Sequence, residues 1–411
     1  MLSRLAIKDF KSLRDIVLEL PRLAVLFGPN AAGKSNILDA IQVLSRIATS
    51  RTFADALRDP IRGYPIEAFT FPPGGLSELL STDSAQFTLE ADIEAGRRRY
   101  QYRLGVSIQP RSGSLGAFDE FLTSLTLRGE PRLGPVIEVV DDKVRIRRKS
   151  HPGRPRNEPL GQNFAFISDP RLGAPEYREI EQTRSELAGW RTYYLDPRVA
   201  MRSAQPPSEV SDIGVLGEYI APFLYRLRAE QPKRFDAVRR TLRSLIPNVE
   251  DLSVDLDKRR GTLDVLVRQD GIDFSSRIVS EGTLRVLALC AIAASPWSES
   301  LVAFEEPENG VHPRRLELIA QLLTSLAVDQ KRQLIITTHS PLFCDAILRL
   351  SRNHPADVGM FNVRRSASGT EIKAFRASGP LFEDQEIAKG LSTRGEDGLF
   401  EGLLLRGLLN E

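Results

Sequence analysis

Cysteine is nearly absent. The two present, Cys290 and Cys344, lie far apart in apolar surroundings with no CxxC or Cys/His spacing. That excludes a disulfide framework and a zinc site, and it suits small core residues in a reducing compartment. Long apolar runs are missing as well: the longest useful one, VLALCAIAA at 286–294, reaches about half of the ~20 residues needed to span a bilayer. The opening MLSRLAIKDFKSLRDIVLEL is too charged for a signal peptide. A cytoplasmic protein with no membrane insertion is expected. Charge of one sign is also lacking, since 56 basic residues against 54 acidic ones leave a net charge of +2. Any pull toward nucleic acid must therefore be local. There is no internal repeat and no heptad run long enough for an extended coiled coil. What is there is ordinary globular material, 41% hydrophobic and 27% charged, and 411 residues suffice for two or three lobes.

The pattern along the chain changes character several times. Residues 4–8 and 16–20 read as short strands around FKSLRD, and LAVLF at 23–27 is a near-continuous apolar run, as in a strand buried on both faces. GPNAAGKS follows, then a stretch whose Ile37, Leu38, Ile41, Leu44 and Ile47 keep helical spacing. From about 85 to 148 the segments alternate and are broken by Gly, Pro and polar turns, an antiparallel meander. Helical segments precede Pro247. After it come strands, then strand–helix alternation through 301–350, the signature of a parallel α/β sheet.

Chemistry concentrates at strand ends. GPNAAGKS at 28–35 fits G-x-x-x-x-G-K-[ST] between a buried strand and an amphipathic helix. Gly28 and Gly33 let the backbone wrap past Pro29 so that N–H groups along Asn30, Ala31, Ala32 and Asn36 and the helix N-terminus face phosphate. Lys34 reaches the β- and γ-phosphates of ATP and Ser35 can ligate Mg²⁺. LVAF at 301–304 runs into Glu305, Glu306 and, after Pro307, Glu308. Like charges this close repel, so a cation or a reacting water is expected nearby. LIITT at 334–338 ends on His339-Ser340-Pro341. Alone, the acids read as a solvated strand end and His339 as a core histidine. Ligands of open α/β sheets, however, bind beyond the carboxyl ends of the strands. Beside a phosphate loop, Glu305 holds the Mg²⁺ shell, Glu306 polarises the attacking water and His339 touches the γ-phosphate. Ser280, Glu281 and Gly282 precede another helix and form a second anion contact, which makes sense for a nucleotide on another copy.

In order, GPNAAGKSN, VSEGT, VAFEEPENGVHP and ITTHSP resemble the motifs of ABC-type ATPases of the RecF/SMC group, most of all stand-alone AAA-type heads related to the OLD family. IKDFKSLRD matches that group's opening. The resemblance covers about residues 1–48 and 275–345. It implies Walker A at Gly28–Ser35 and Walker B at Glu305–Glu306. It also implies a signature motif at Ser280–Thr283, a D-loop at Asn309–His312 and a switch histidine at His339. The implied fold is α/β: a P-loop NTPase with an ABC-type head, a mixed or parallel central sheet, an antiparallel β lobe and an inserted helical subdomain. The expected segments are 1–84 and 248–375 for the ATPase lobe, 85–160 for the meander, 161–247 for the helical insertion and 376–411 for a helical tail. In such proteins two heads sandwich two ATP molecules and hydrolysis releases them, in DNA repair, chromosome maintenance or anti-phage defence. That implies a homodimer, with DNA or a separately encoded nuclease or toxin as further partner. The alternative is the ATP-hydrolysing subunit of a membrane transporter, against which stand the long insertion and the EEPE and THSP wording.

Weaker features stay open. Lys143, Arg145, Arg147, Lys149, Arg154 and Arg156 suit either a nucleic-acid backbone or a solvated hairpin tip. The apolar face of GLFEGLLLRGLLNE packs on the head or docks a partner. Glu383, Asp384 and Glu386 invite comparison with the metal-dependent nuclease domain of OLD proteins, but the roughly 70 residues after His339 are too few for it.

Overall fold

The computed structural model describes residues 1–375 and Phe400, apart from 59–60, 127, 133, 151–152, 298–299 and 368. The strands are β1 (Leu2–Phe10), β2 (Leu13–Glu19), β3 (Leu23–Phe27), β4 (Ala85–Ala95), β5 (Arg98–Gln109), β6 (Ser114–Ser124), β7 (Ile137–Val140), β8 (Lys143–Ile146), β9 (Arg156–Pro159), β10 (Trp190–Tyr193), β11 (Asp251–Asp257), β12 (Thr262–Gln269), β13 (Ile272–Ser275), β14 (Leu301–Glu305), β15 (Gln333–Thr338), β16 (Val358–Ser366) and β17 (Gly369–Phe375). The helices are α1 (Lys34–Ile47), α2 (Phe53–Ala56), α3 (Gly75–Ser81), α4 (Arg178–Ala188), α5 (Ile220–Glu230), α6 (Pro232–Leu245), α7 (Glu281–Ala294), α8 (Leu316–Val328) and α9 (Pro341–Ser351). No helix among the described residues is long and apolar enough to cross a membrane. Contacts divide the chain into two units: Met1–Arg22, Pro29–Arg191 and Asn362–Lys373 form the first, and Leu23–Gly28, Thr192–Phe361 and the chain from Ala374 on form the second.

The first unit is built on an antiparallel sheet in the order β2-β1-β4-β5-β6-β7-β8-β9. Alternation makes it: Leu89, Ala91 and Ile93 of β4 and Tyr100 and Tyr102 of β5 are buried while their neighbours stay at least partly exposed. Phe87 closes the core edge-on against Phe10, with ring centroids 5.3 Å apart, and lies 5.0 Å from Phe69. Asp141 and Asp142, both at positive φ, make the two-residue turn from β7 to β8. Helix α1 buries Ile37, Leu38, Ile41, Leu44 and Ile47, the stripe its spacing predicts.

The second unit carries β14, β15 and β3, adjacent in that order, and a small antiparallel sheet, β11-β12-β13. Strands β14, β15 and β3 run parallel. LVAF, QLIITT and LAVLF are buried throughout, which is why they read as apolar runs and not as alternation. Helices α5 to α9 add their apolar faces to the same core. From the sequence's apolar terminal stretch, Phe400 is buried, edge-on to Phe27 at 5.1 Å, with its N–H donated to Asp345. The rest of that stretch, and the acids at 383, 384 and 386, lie outside the described residues. The result is a mixed α/β protein with a parallel centre and an antiparallel lobe.

Candidate functional site

Register places the strand ends. Glu305 pairs with Thr337, and Thr338 pairs with Phe27. Within the second unit, therefore, β14 releases Glu306, β15 releases His339 and β3 releases Gly28 at one edge of the sheet. Glu306 leaves its strand at φ +46°, an uncommon conformation for a non-glycine residue, and donates its N–H to Thr337 O at 3.0 Å. That bend turns its side chain to His339: Nδ1 and Oε1 are 2.6 Å apart. A carboxylate only accepts, so the Nδ1–H donates and Glu306 Oε1 accepts.

The third acid behaves differently. Glu308 is buried, and its Oε1 accepts the hydroxyl of Thr338. Burial pushes its carboxyl up to about 7, against the pull of that hydrogen bond. Glu305, Glu306 and Glu308 therefore do not converge on one point, and no cluster of three or more His, Cys, Asp or Glu fit to hold a metal occurs among the described residues.

In the first unit, Ala31 (φ +63°) and Gly33 (φ +105°) bend the phosphate loop, and Gly33 caps α1, whose first turn holds no acid. The positive end of that helix is thus left for an anion. Lys34 is nearly buried, and its Nζ donates to Pro29 O at 2.9 Å across the loop. A chain of hydroxyls braces the loop from behind. Thr370 Oγ1 donates to Ala32 O at 2.9 Å, which uses its one proton. Ser12 must then donate to Thr370 at 2.7 Å, while Asn36 Nδ2 donates to Ser12 at 2.8 Å. A Cβ on Gly33 would lie 2.2 Å from Thr370 Oγ1.

A cavity of about 500 Å³ in the same unit is lined by Lys11, Ser12, Arg14, Arg62, Phe71 and Arg365, among others. Lys11 and Arg62 hold the buried Asp39 at 2.7 and 3.0 Å. Nothing in the sequence reading singled out these arginines, Thr370 or Phe71. The KS of IKDFKSLRD was the available signal for Lys11 and Ser12, and Thr370 lies hundreds of residues away.

The signature segment caps α7 in the second unit. Ser280 accepts the N–H of Thr283 at 3.2 Å, and Glu281 accepts Arg198 at 2.8 Å. Gly282 is there for space: a Cβ would meet the carbonyl of Gly310 at 2.2 Å. The D-loop thus lies against the signature, and Ser280, Gly282, Thr283, Gly310, His312 and Arg314 line much of a groove of about 620 Å³.

A family model described as "AAA domain, putative AbiEii toxin, Type IV TA system" matches residues 23–345. The chain belongs to this AAA-domain family. An OLD nuclease from Thermus scotoductus is 25% identical over 383 residues, 87% of this chain, and the chain spans 63% of that relative's length. Two solved structures are loosely similar. The SMC head domain from Thermotoga maritima has TM-score 0.40 at 16% identity, covering 91% of this chain and 99% of that one. An Smc head domain with an extended coiled coil, bound to the C-terminal domain of ScpA and derived from Pyrococcus furiosus, has TM-score 0.48 at 12% identity, covering 95% and 99%.

Two other features of this AAA domain bear on function. Half of the basic run at the meander's tip is paired with acids: Arg145 with Asp141 at 3.4 Å, Arg147 with Glu138 at 2.6 Å, and Arg156 with Glu158. Arg285, on α7, is half-buried; burial lowers its pKa, against the opposing charges of Glu281, Glu306, Asp196 and Glu308.

Proposed function

We propose that this chain binds and hydrolyses ATP as one half of a dimer that closes around two ATP molecules. The supporting observation is the 2.6 Å Glu306–His339 pair at parallel strand ends, in register with the strand that feeds the phosphate loop. In this reading, the loop from Gly28 to Ser35 and the first turn of α1 at Asn36 receive the phosphates, and Lys34 turns from Pro29 O to their charge. Ser35 and Glu305 offer a hydroxyl and a carboxylate, the hard oxygen donors Mg²⁺ takes; bound there, the ion would neutralise phosphate charge. Glu306 shares its carboxylate, accepting His339 at Oε1 and orienting the attacking water with Oε2, while His339 stands at the γ-phosphate. Such positioning is most of what phosphoryl transfer asks of a protein. The basic cavity around Arg14 and Arg365, with Phe71 at its wall, suits the rest of the nucleotide. Ser280, Glu281 and Gly282 face the nucleotide of the second copy.

The family description names a putative toxin and the Thermus relative is a nuclease. Both fit an ATP switch, in anti-phage defence or DNA repair, that acts with DNA or a separately encoded effector. The transporter alternative gains no support from either. The test is phosphate release: the wild type turns over, and Glu306→Gln keeps ATP affinity while turnover falls roughly 10²–10⁴-fold, as on loss of a general base. Unchanged turnover in that variant puts the base elsewhere.

A further inference from the structure

Glu308 does no work in the mechanism above, yet it is a buried carboxyl with one oxygen, Oε2, lacking a hydrogen-bond partner among the described residues. Leaving such a group unpaired costs stability, so its retention points to a task. Its neighbours define one. The turn it belongs to starts at Glu306, with Asn309 N–H donating to Glu306 O at 3.1 Å and Val311 N–H to Glu308 O at 3.1 Å. At the far end of that turn, Gly310 O packs against Gly282 of the signature. Across the turn, Glu308 Oε1 accepts Thr338 Oγ1, whose oxygen in turn accepts the N–H of Ser340 at 3.0 Å. Thr338 and Ser340 flank His339. One side chain therefore ties the segment bearing Glu306 and touching the signature to the strand end that aims His339.

We propose that Glu308, through its hydrogen bond with Thr338, is a positioning residue that holds Glu306 and His339 in mutual geometry and passes displacement of the signature contact to that pair. The inference rests on the reading of ATP hydrolysis above. It concerns how the pair is aimed, so loss of the link lowers turnover and spares ATP binding.

Steady-state phosphate release and equilibrium ATP binding, measured on the full chain, test it. Thr338→Val fills the same volume without the hydroxyl. It should lower kcat at least tenfold while ATP affinity shifts less than threefold; the lost hydrogen bonds lower the melting temperature without unfolding the chain at the assay temperature. Thr338→Ser, which restores the hydroxyl, should return kcat to within threefold of wild type, and so should Glu308→Gln, which keeps an acceptor at Oε1. Glu308→Ala should match Thr338→Val, and the double variant should be no slower than the slower single one, because both remove one link. Should Glu308→Ala fail to fold, the Thr338 pair decides alone. Wild-type kcat in Thr338→Val, or affinity falling in step with kcat, overturns the proposal. If Glu306→Gln is inactive and Thr338→Val is not, this inference falls alone. A wild type that releases no phosphate takes both down.

Discussion

At Gly33 two constraints meet: φ is +105°, where side chains are strained, and the space a methyl would need is filled by Thr370 Oγ1 at 2.2 Å. Gly33→Ala should therefore distort the phosphate loop and cut ATP affinity at least tenfold, measured by nucleotide titration. Wild-type affinity in that variant would mean the loop does not hold phosphate. The residue scale also explains where sequence reading stops. Glu306 and His339 were recognisable because they follow apolar strands directly. Ser12 and Thr370 behind the loop, and Glu308 and Thr338 beside the Glu306–His339 pair, are ordinary residue types, and only the fold brings each of them there.

Elements were legible where periodicity was strong. The helical stripe of α1, the alternation of β4 and β5 and the fully apolar β3, β14 and β15 all appear as their patterns predict. The acidic run did not announce the turn at Glu306, where φ is positive, Glu306 meets His339 and the buried Glu308 meets Thr338. Pattern gives the face of a regular element; it is silent once the chain leaves one. At this scale the α7 N-terminus carries a prediction. Ser280→Arg puts a long cation at the cap position where a partner's triphosphate would sit. It should abolish phosphate release and leave ATP binding within about threefold. Full turnover in Ser280→Arg would remove the second copy from the mechanism.

For the whole molecule, stability should fall as pH rises through the weakly acid range. Glu120, fully buried, is pushed up to about 7 by burial, against hydrogen bonds from the N–H groups of Ile167 and Phe166 and from Tyr102. The folded chain thus holds this proton more tightly than the unfolded one, whose carboxyl titrates near 4.5. Its contribution is complete below pH 4.5 and is lost by about pH 7, up to about 3 kcal/mol. Glu120→Gln should flatten that slope in denaturant titrations at pH 5 and pH 8; identical slopes in variant and wild type would assign the pH dependence to other groups. The larger claim is that two copies close around two triphosphates. It is read most directly from the mass of Glu306→Gln in solution with and without ATP and Mg²⁺. The account predicts a species of twice the single-chain mass, holding two ATP molecules, that forms with ATP and is absent without it. A variant that binds ATP and keeps the same mass throughout would contradict it.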